Sequence, residues 1–207
     1  MISARHLPES YQLVRRIDLR EDRSLLIRLS LLSLILFLPA YGLFLTLGAV
    51  IHPEIQSFLP IISSANPVFQ RIIAILFSLI LFMLWHELLH GLFFWLFTHQ
   101  FPKFGLSAAY AFAAAPEWYL ARDPYLWIGI APAILLSFFG AILFPLIPPA
   151  WCFVWAFGLA INLCGSVGDF YVVGWLFSRP DSALIQDHGD VILVFELAQA
   201  GDHWRCG

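Results

Sequence analysis

The sequence predicts an all-α membrane protein: a four-span helical bundle with both termini cytoplasmic, a short re-entrant or interfacial extended segment, and a small C-terminal β-hairpin. Three observations carry that expectation. Of the 207 residues, 60% are hydrophobic and only 12% are charged, about half the charged share of a soluble domain, which is roughly 25%. Mean hydropathy is +0.81. The apolar residues also fall into four runs, each long enough to cross about 30 Å of hydrocarbon as a helix. The expected organisation is a basic cytoplasmic segment at 1–28, a membrane domain at 29–178, and a cytoplasmic tail carrying the hairpin at 179–207.

The first run, 29–51, is longer than a secretory h-region and lacks a small-x-small cleavage site, so it is expected to remain as a span. The second run covers 72–98 and the third 125–147. Pro148-Pro149 joins the third to the fourth, at 151–178, so tightly that these two helices must be antiparallel neighbours. Between the second and third runs, 104–115 (FGLSAAYAFAAA) is apolar but too short to cross. It is expected to dip into the interface as an extended segment or hairpin, covered by protein because bare backbone does not survive at that depth. Near the C-terminus, 183–186 and 191–195 flank Asp187-His188-Gly189-Asp190, which reads as two strands around a turn, with a helix over 191–200 as the alternative.

Orientation follows from the basic residues. Arg5, Arg15, Arg16, Arg20, Arg23 and Arg28 come before or begin the first run, Lys103 and Arg122 lie between the second and third, and Arg179 and Arg205 follow the fourth. Only Arg71 falls on the other side. Both termini of a multi-pass membrane protein are therefore expected to be cytoplasmic, with the lipid bilayer as a constant partner. A formal net charge of -3, without a dense basic patch, argues against nucleic acid as a partner. The cysteines Cys152, Cys164 and Cys206 are odd in number and without paired spacing, so neither a disulfide framework nor a cysteine zinc site is suggested. Four spans without internal repeats argue against a secondary transporter acting as a monomer.

The chemistry is concentrated in MLWHELLHGLFF, where His86, Glu87 and His90 form His-Glu-x-x-His inside an apolar helix. The i, i+4 spacing sets both imidazoles on one face, with Glu87 beside them to hold an attacking water. Ionisable groups deep in a membrane helix cost about 2.5–3.5 kcal/mol each, so this cluster demands a partner. A divalent cation supplies one, since neutral imidazoles and carboxylates are its ligands. An interhelical hydrogen-bonding cluster without metal is the alternative.

A catalytic zinc keeps three protein ligands, and Asp169 is the other acid inside a span. His90 lies 18 residues after Ile72 and Asp169 lies 18 after Trp151, which puts both about 27 Å along helices running the same way. Gly165 and Gly168 are expected to allow close backbone approach beside the aspartate. Asn162, two turns before Asp169 on the same face, either contacts substrate or links helices. Glu117 is the rival third ligand, although its loop position fits an interfacial carboxylate. His52, His99 and His188 read as surface histidines, and His6 and His203 carry no signal. Trp95, Trp118 and Trp151 fit an aromatic belt.

With His86, Glu87 and His90 on one span and Asp169 two spans later, the chain resembles the site-2 protease class of intramembrane zinc metalloproteases. More closely, it resembles the zincin-peptidase family of small bacterial membrane proteins. The resemblance covers roughly 72–195. It implies that His86, His90 and Asp169 bind Zn2+ and that Glu87 is the catalytic general base. The implied substrate is a membrane-embedded or membrane-adjacent protein or peptide. In that class the second motif is Asn-x-x-Pro-x-x-x-Leu-Asp-Gly, whereas here Gly165 stands at the proline position and Phe170 follows the aspartate. An extended segment near the active site is thought to hold substrate there as an added strand, and 104–115 is similarly placed. The competing expectation is a non-hydrolytic metal-binding membrane scaffold or chaperone.

Overall fold

A computed structural model describes residues 3–18, 21–55, 65–106 and 111–198. Arg20, residues 107–110, His203, Arg205 and Cys206 lie outside the described residues. The chain is mostly helical, with four long apolar helical segments and a small antiparallel sheet. In order it runs β1 (Ser3–Ala4), β2 (Tyr11–Asp18), α1 (Arg23–Ile51), α2 (Ala65–Thr98), β3 (Lys103–Leu106), β4 (Ala111–Ala114), β5 (Tyr119–Ala121), α3 (Arg122–Leu143), α4 (Cys152–Gly165), α5 (Val167–Leu176), β6 (Leu184–Asp187) and β7 (Val191–Leu197). Single 3-10 turns at Phe144–Leu146 and Pro149–Trp151 make the tight connection around Pro148-Pro149. Four segments, Arg23–Ile51, Phe69–Thr98, Arg122–Leu146 and Pro149–Leu176, are long and apolar enough to cross a membrane. They are compatible with a multi-pass membrane protein.

The chain divides into two compact units. One comprises 27–88 and 130–169 and is helical. Its core is built from Phe44, Phe82, Phe144, Ala156, Leu159 and Ala160 with their neighbours. Along α2 and α4 a ladder repeats every four residues. Ser78 Oγ donates to the Val154 carbonyl at 3.1 Å, the Phe82 ring lies against Gly158, and His86 Nδ1 meets Asn162 Oδ1 at 3.0 Å. Contacts that advance by one turn on both helices together require α2 and α4 to be parallel neighbours. Gly158 permits the approach, because a Cβ there would sit 2.2 Å from the Phe82 ring and 2.7 Å from Ser78 Oγ. Gly165 and Gly168, expected to play that part, face open space among the described residues.

The other unit comprises 1–26, 89–129 and 170–207. It carries an antiparallel five-stranded sheet in the order β1-β5-β6-β7-β2. This corrects the all-α expectation. The anticipated C-terminal hairpin exists as β6–β7, but β2 pairs along β7 from Tyr11↔Leu197 to Asp18↔Val191, and β5 pairs with β6 at Leu120↔Ile185. The β6–β7 turn closes on Gly189, whose φ of +90° suits glycine; its N–H donates to Asp187 Oδ1 at 2.6 Å. The 104–115 region forms a second small sheet, β3–β4, in register from Lys103↔Ala114 to Leu106↔Ala111. α1 starts at an aspartate cap, where Leu25 N–H donates to Asp22 Oδ1 at 2.8 Å. α2 stops where His99 takes the left-handed conformation, φ 54°, and its N–H donates to the Trp95 carbonyl.

Candidate metal centre

α2 carries His86 and His90 one turn apart, both buried at 9% and 8% exposure. Asp169 sits in the first turn of α5, just past the interruption at Ser166, whose N–H and Oγ both donate to the Asn162 carbonyl. His86, His90 and Asp169 each offer one ligand atom, and these atoms all lie within 4.8 Å of one another. His86 Nε2 is 3.2 Å from Asp169 Oδ2. Zinc bonds of about 2.0–2.2 Å in a tetrahedron would space ligand atoms roughly 3.4 Å apart, so the pair fits that geometry.

The hydrogen bonds around the imidazoles decide which ring nitrogen is available. Asn162 is 2% exposed, and its Nδ2 donates to the Pro132 carbonyl at 3.2 Å. A carbonyl can only accept, so the amide is oriented with Oδ1 toward His86. Oδ1 likewise only accepts, so His86 Nδ1 must carry a hydrogen. In the neutral ring, Nε2 then presents a lone pair toward the Asp169 carboxylate oxygen. Two electron-rich atoms at that distance repel unless positive charge lies between or beside them. His90 follows the same rule, because its Nδ1 donates to the Ile128 carbonyl at 2.8 Å and its Nε2 becomes the donor atom for a cation. Imidazoles held through Nδ1 by a carbonyl or amide are the arrangement that metal sites use to fix tautomer and orientation. The donor set therefore fits a divalent cation of the zinc type.

Glu87 is half-buried on the same turn of α2. Glu117 is not in the group; it is 66% exposed and pairs with Lys103 at 3.0 Å. That ammonium holds the Glu117 carboxyl below the usual carboxylate range. The structure brings His52 Nε2 within 3.0 Å of the Phe144 carbonyl and His52 Nδ1 within 3.4 Å of Glu54. His188 lies in the β6–β7 turn, where burial, with Lys103 adding to it, pushes its pKa below the ordinary histidine value. His6 is exposed.

Sequence reasoning left Asn162 undecided and missed both Pro132 and Ile128. A proline inside a span, four residues beyond Ile128, was the available signal for them.

A family model described as "Putative zincin peptidase" matches residues 79–184, just over half of the chain. The chain belongs to that family, whose description implies a zinc-dependent metallopeptidase. His86, Glu87, His90, Ile128, Pro132, Asn162 and Asp169 all fall inside the match. Neither a curated protein nor a solved structure matches the chain.

Proposed function

We propose that the protein is a zinc metalloendopeptidase of the site-2 protease type, cutting a membrane-embedded or membrane-adjacent protein inside or beside the bilayer. The observation that carries this reading is the pair of contacts made by the His86 ring. With Nδ1 committed to Asn162, its Nε2 faces Asp169 Oδ2 at 3.2 Å, an arrangement made favourable by a cation. A doubly protonated His86 paired with Asp169 would satisfy the same atoms without metal, and zinc analysis separates the two.

His86, His90 and Asp169 hold the ion. When bound, zinc supplies Lewis-acid polarisation of the scissile carbonyl and acidifies water toward a pKa of about 7. Glu87 takes the proton from the attacking water and delivers it to the departing amine. Asn162 and the Ile128 carbonyl keep the two imidazoles turned the right way. The β3–β4 hairpin is the proposed place for an unwound substrate segment to add as a further strand, since its exposed amides need partners.

The sheet supports the proposed topology. A chain crossing four times brings three segments to one face: those before the first span, between the second and third, and after the fourth. The sheet gathers β1 and β2, β5, and β6 and β7 from those three segments. The concentration of Lys and Arg in them supports our reading that this face is cytoplasmic, and the proposed location is a bacterial cytoplasmic membrane.

The test uses purified full-length protein in nanodiscs with zinc and a membrane-anchored peptide. Cleavage should be seen and should stop on chelation. Glu87→Gln should keep its zinc while cleavage falls about 10²–10⁴-fold, the range for a lost general acid–base group. Cleavage retained by Glu87→Gln removes the role given to Glu87. Zinc bound by wild type without any turnover points instead to a metal-binding scaffold.

A further inference from the structure

Pro132 lies inside α3, fully buried. In a regular helix the N–H of residue 132 would donate to the carbonyl of residue 128. Proline has no N–H, so the Ile128 carbonyl is released from the ladder and needs another donor. That carbonyl is the one His90 Nδ1 reaches at 2.8 Å. The carbonyl of Pro132 itself accepts from Asn162 Nδ2 at 3.2 Å, and Asn162 Oδ1 accepts from His86 Nδ1 at 3.0 Å. Two separate hydrogen-bond paths thus start at a single residue and end on the two histidines.

We propose that Pro132 is a positioning residue for the metal centre, fixing the orientation and tautomer of both His86 and His90 so that each presents Nε2. The inference rests on the zinc reading above. The two paths use different properties of the proline. The missing N–H frees an acceptor for His90, and the retained carbonyl fixes the amide of Asn162, which in turn fixes His86. A missing hydrogen bond inside the continuous helix α3 is thereby turned into the support of the site. Restoring the N–H with Pro132→Ala gives the Ile128 carbonyl a competing intrahelical donor. The carbonyl of residue 132 is kept in that variant, so the path through Asn162 is tested separately.

Full-length wild type, Pro132→Ala and Pro39→Ala are compared in nanodiscs. Pro39 is also a proline inside a helix, α1, but no described hydrogen bond ties it to the histidines. Zinc affinity is read by competition with a chromophoric chelator, and the ring-nitrogen ¹⁵N shifts of the histidines are read in the same samples. Pro132→Ala should lower zinc affinity about 10–100-fold, the usual effect of losing support behind a ligand, without lowering the thermal midpoint. Its His90 should lose the single Nδ1–H tautomer expected in wild type. Pro39→Ala should change affinity less than about twofold and leave both rings as in wild type. An affinity for Pro132→Ala within twofold of wild type, or an equal loss in both proline variants, overturns the proposal.

If Pro132→Ala does not fold, Asn162→Ala takes its place. A His86 ring that keeps its single tautomer in that variant overturns the path through the Pro132 carbonyl, whereas a mixed tautomer there, with His90 unchanged, supports it. Wild type that takes up no zinc overturns the metal reading by itself, and the ring tautomers then decide the positioning claim alone.

Discussion

Helix α1 and the five-stranded sheet place their apolar side chains differently. On α1, Leu38 and Val50 are 73% and 72% exposed, while the interior of the helical unit holds Ser78, His86 and Asn162 beside Ala156, Gly158 and Ala160. In the sheet, Leu120, Ile185 and Val194 are fully buried, and Arg15 and Arg16 of β2 point outward. The middle of the sheet is built as water requires, although Leu13 and Val14 of β2 are exposed. The apolar faces of the helices are compatible with surroundings as apolar as leucine, where small residues allow contact and internal polar pairs hold helices together. The difference teaches where a buried imidazole is affordable: in a body whose outside is hydrocarbon, polar side chains gather inside and must be satisfied there.

Substitutions should follow this division. The largest effect is expected at Asp169. Asp169→Ala removes one of the three proposed ligands and should lower zinc affinity by more than about 100-fold, exceeding the usual loss for a supporting residue, as measured by equilibrium dialysis. Zinc retained at wild-type affinity would remove Asp169 from the site. In the sheet, Ile185→Ala should cost about 2–5 kcal/mol of stability, read by thermal unfolding in detergent. Zinc affinity of its folded fraction should not move, and a parallel loss would show that the two regions are not independent. Gly158→Ala should cost less, about 1–3 kcal/mol for overpacking, but it should also weaken zinc binding because it pushes apart the ladder that ends in His86 and Asn162. An unchanged zinc affinity there would break the link between helix spacing and site. The smallest effect belongs to Glu117→Gln, which should leave zinc content as in wild type. A drop would restore Glu117 as a ligand.

What could be read in the sequence was local. His86, Glu87 and His90 declare themselves because four-residue spacing on a helix is itself a geometry, and Asp169 because acids inside apolar runs are so few. Gly158 was hidden because close approach depends on the register between two helices, which neither helix encodes alone. Pro132 and Ile128 were hidden because they act through backbone carbonyls, whose availability comes from a missing hydrogen bond rather than from a side chain. The sheet escaped because its strands are short and its partners remote. A segment such as YQLVRRID looks like a charged tail until Val191–Leu197 lies beside it.

That last pairing has a consequence for how the molecule is made. β2 leaves the ribosome before any of the four apolar segments, and β7 follows them all, so an early strand must wait through most of translation for its neighbour. Until then its backbone edge is open to mispairing, and charged side chains such as Arg15 and Arg16 are of the kind that disfavour edge-to-edge pairing. Completion of the sheet is therefore a late step in biogenesis, reached only after all four apolar segments have been made.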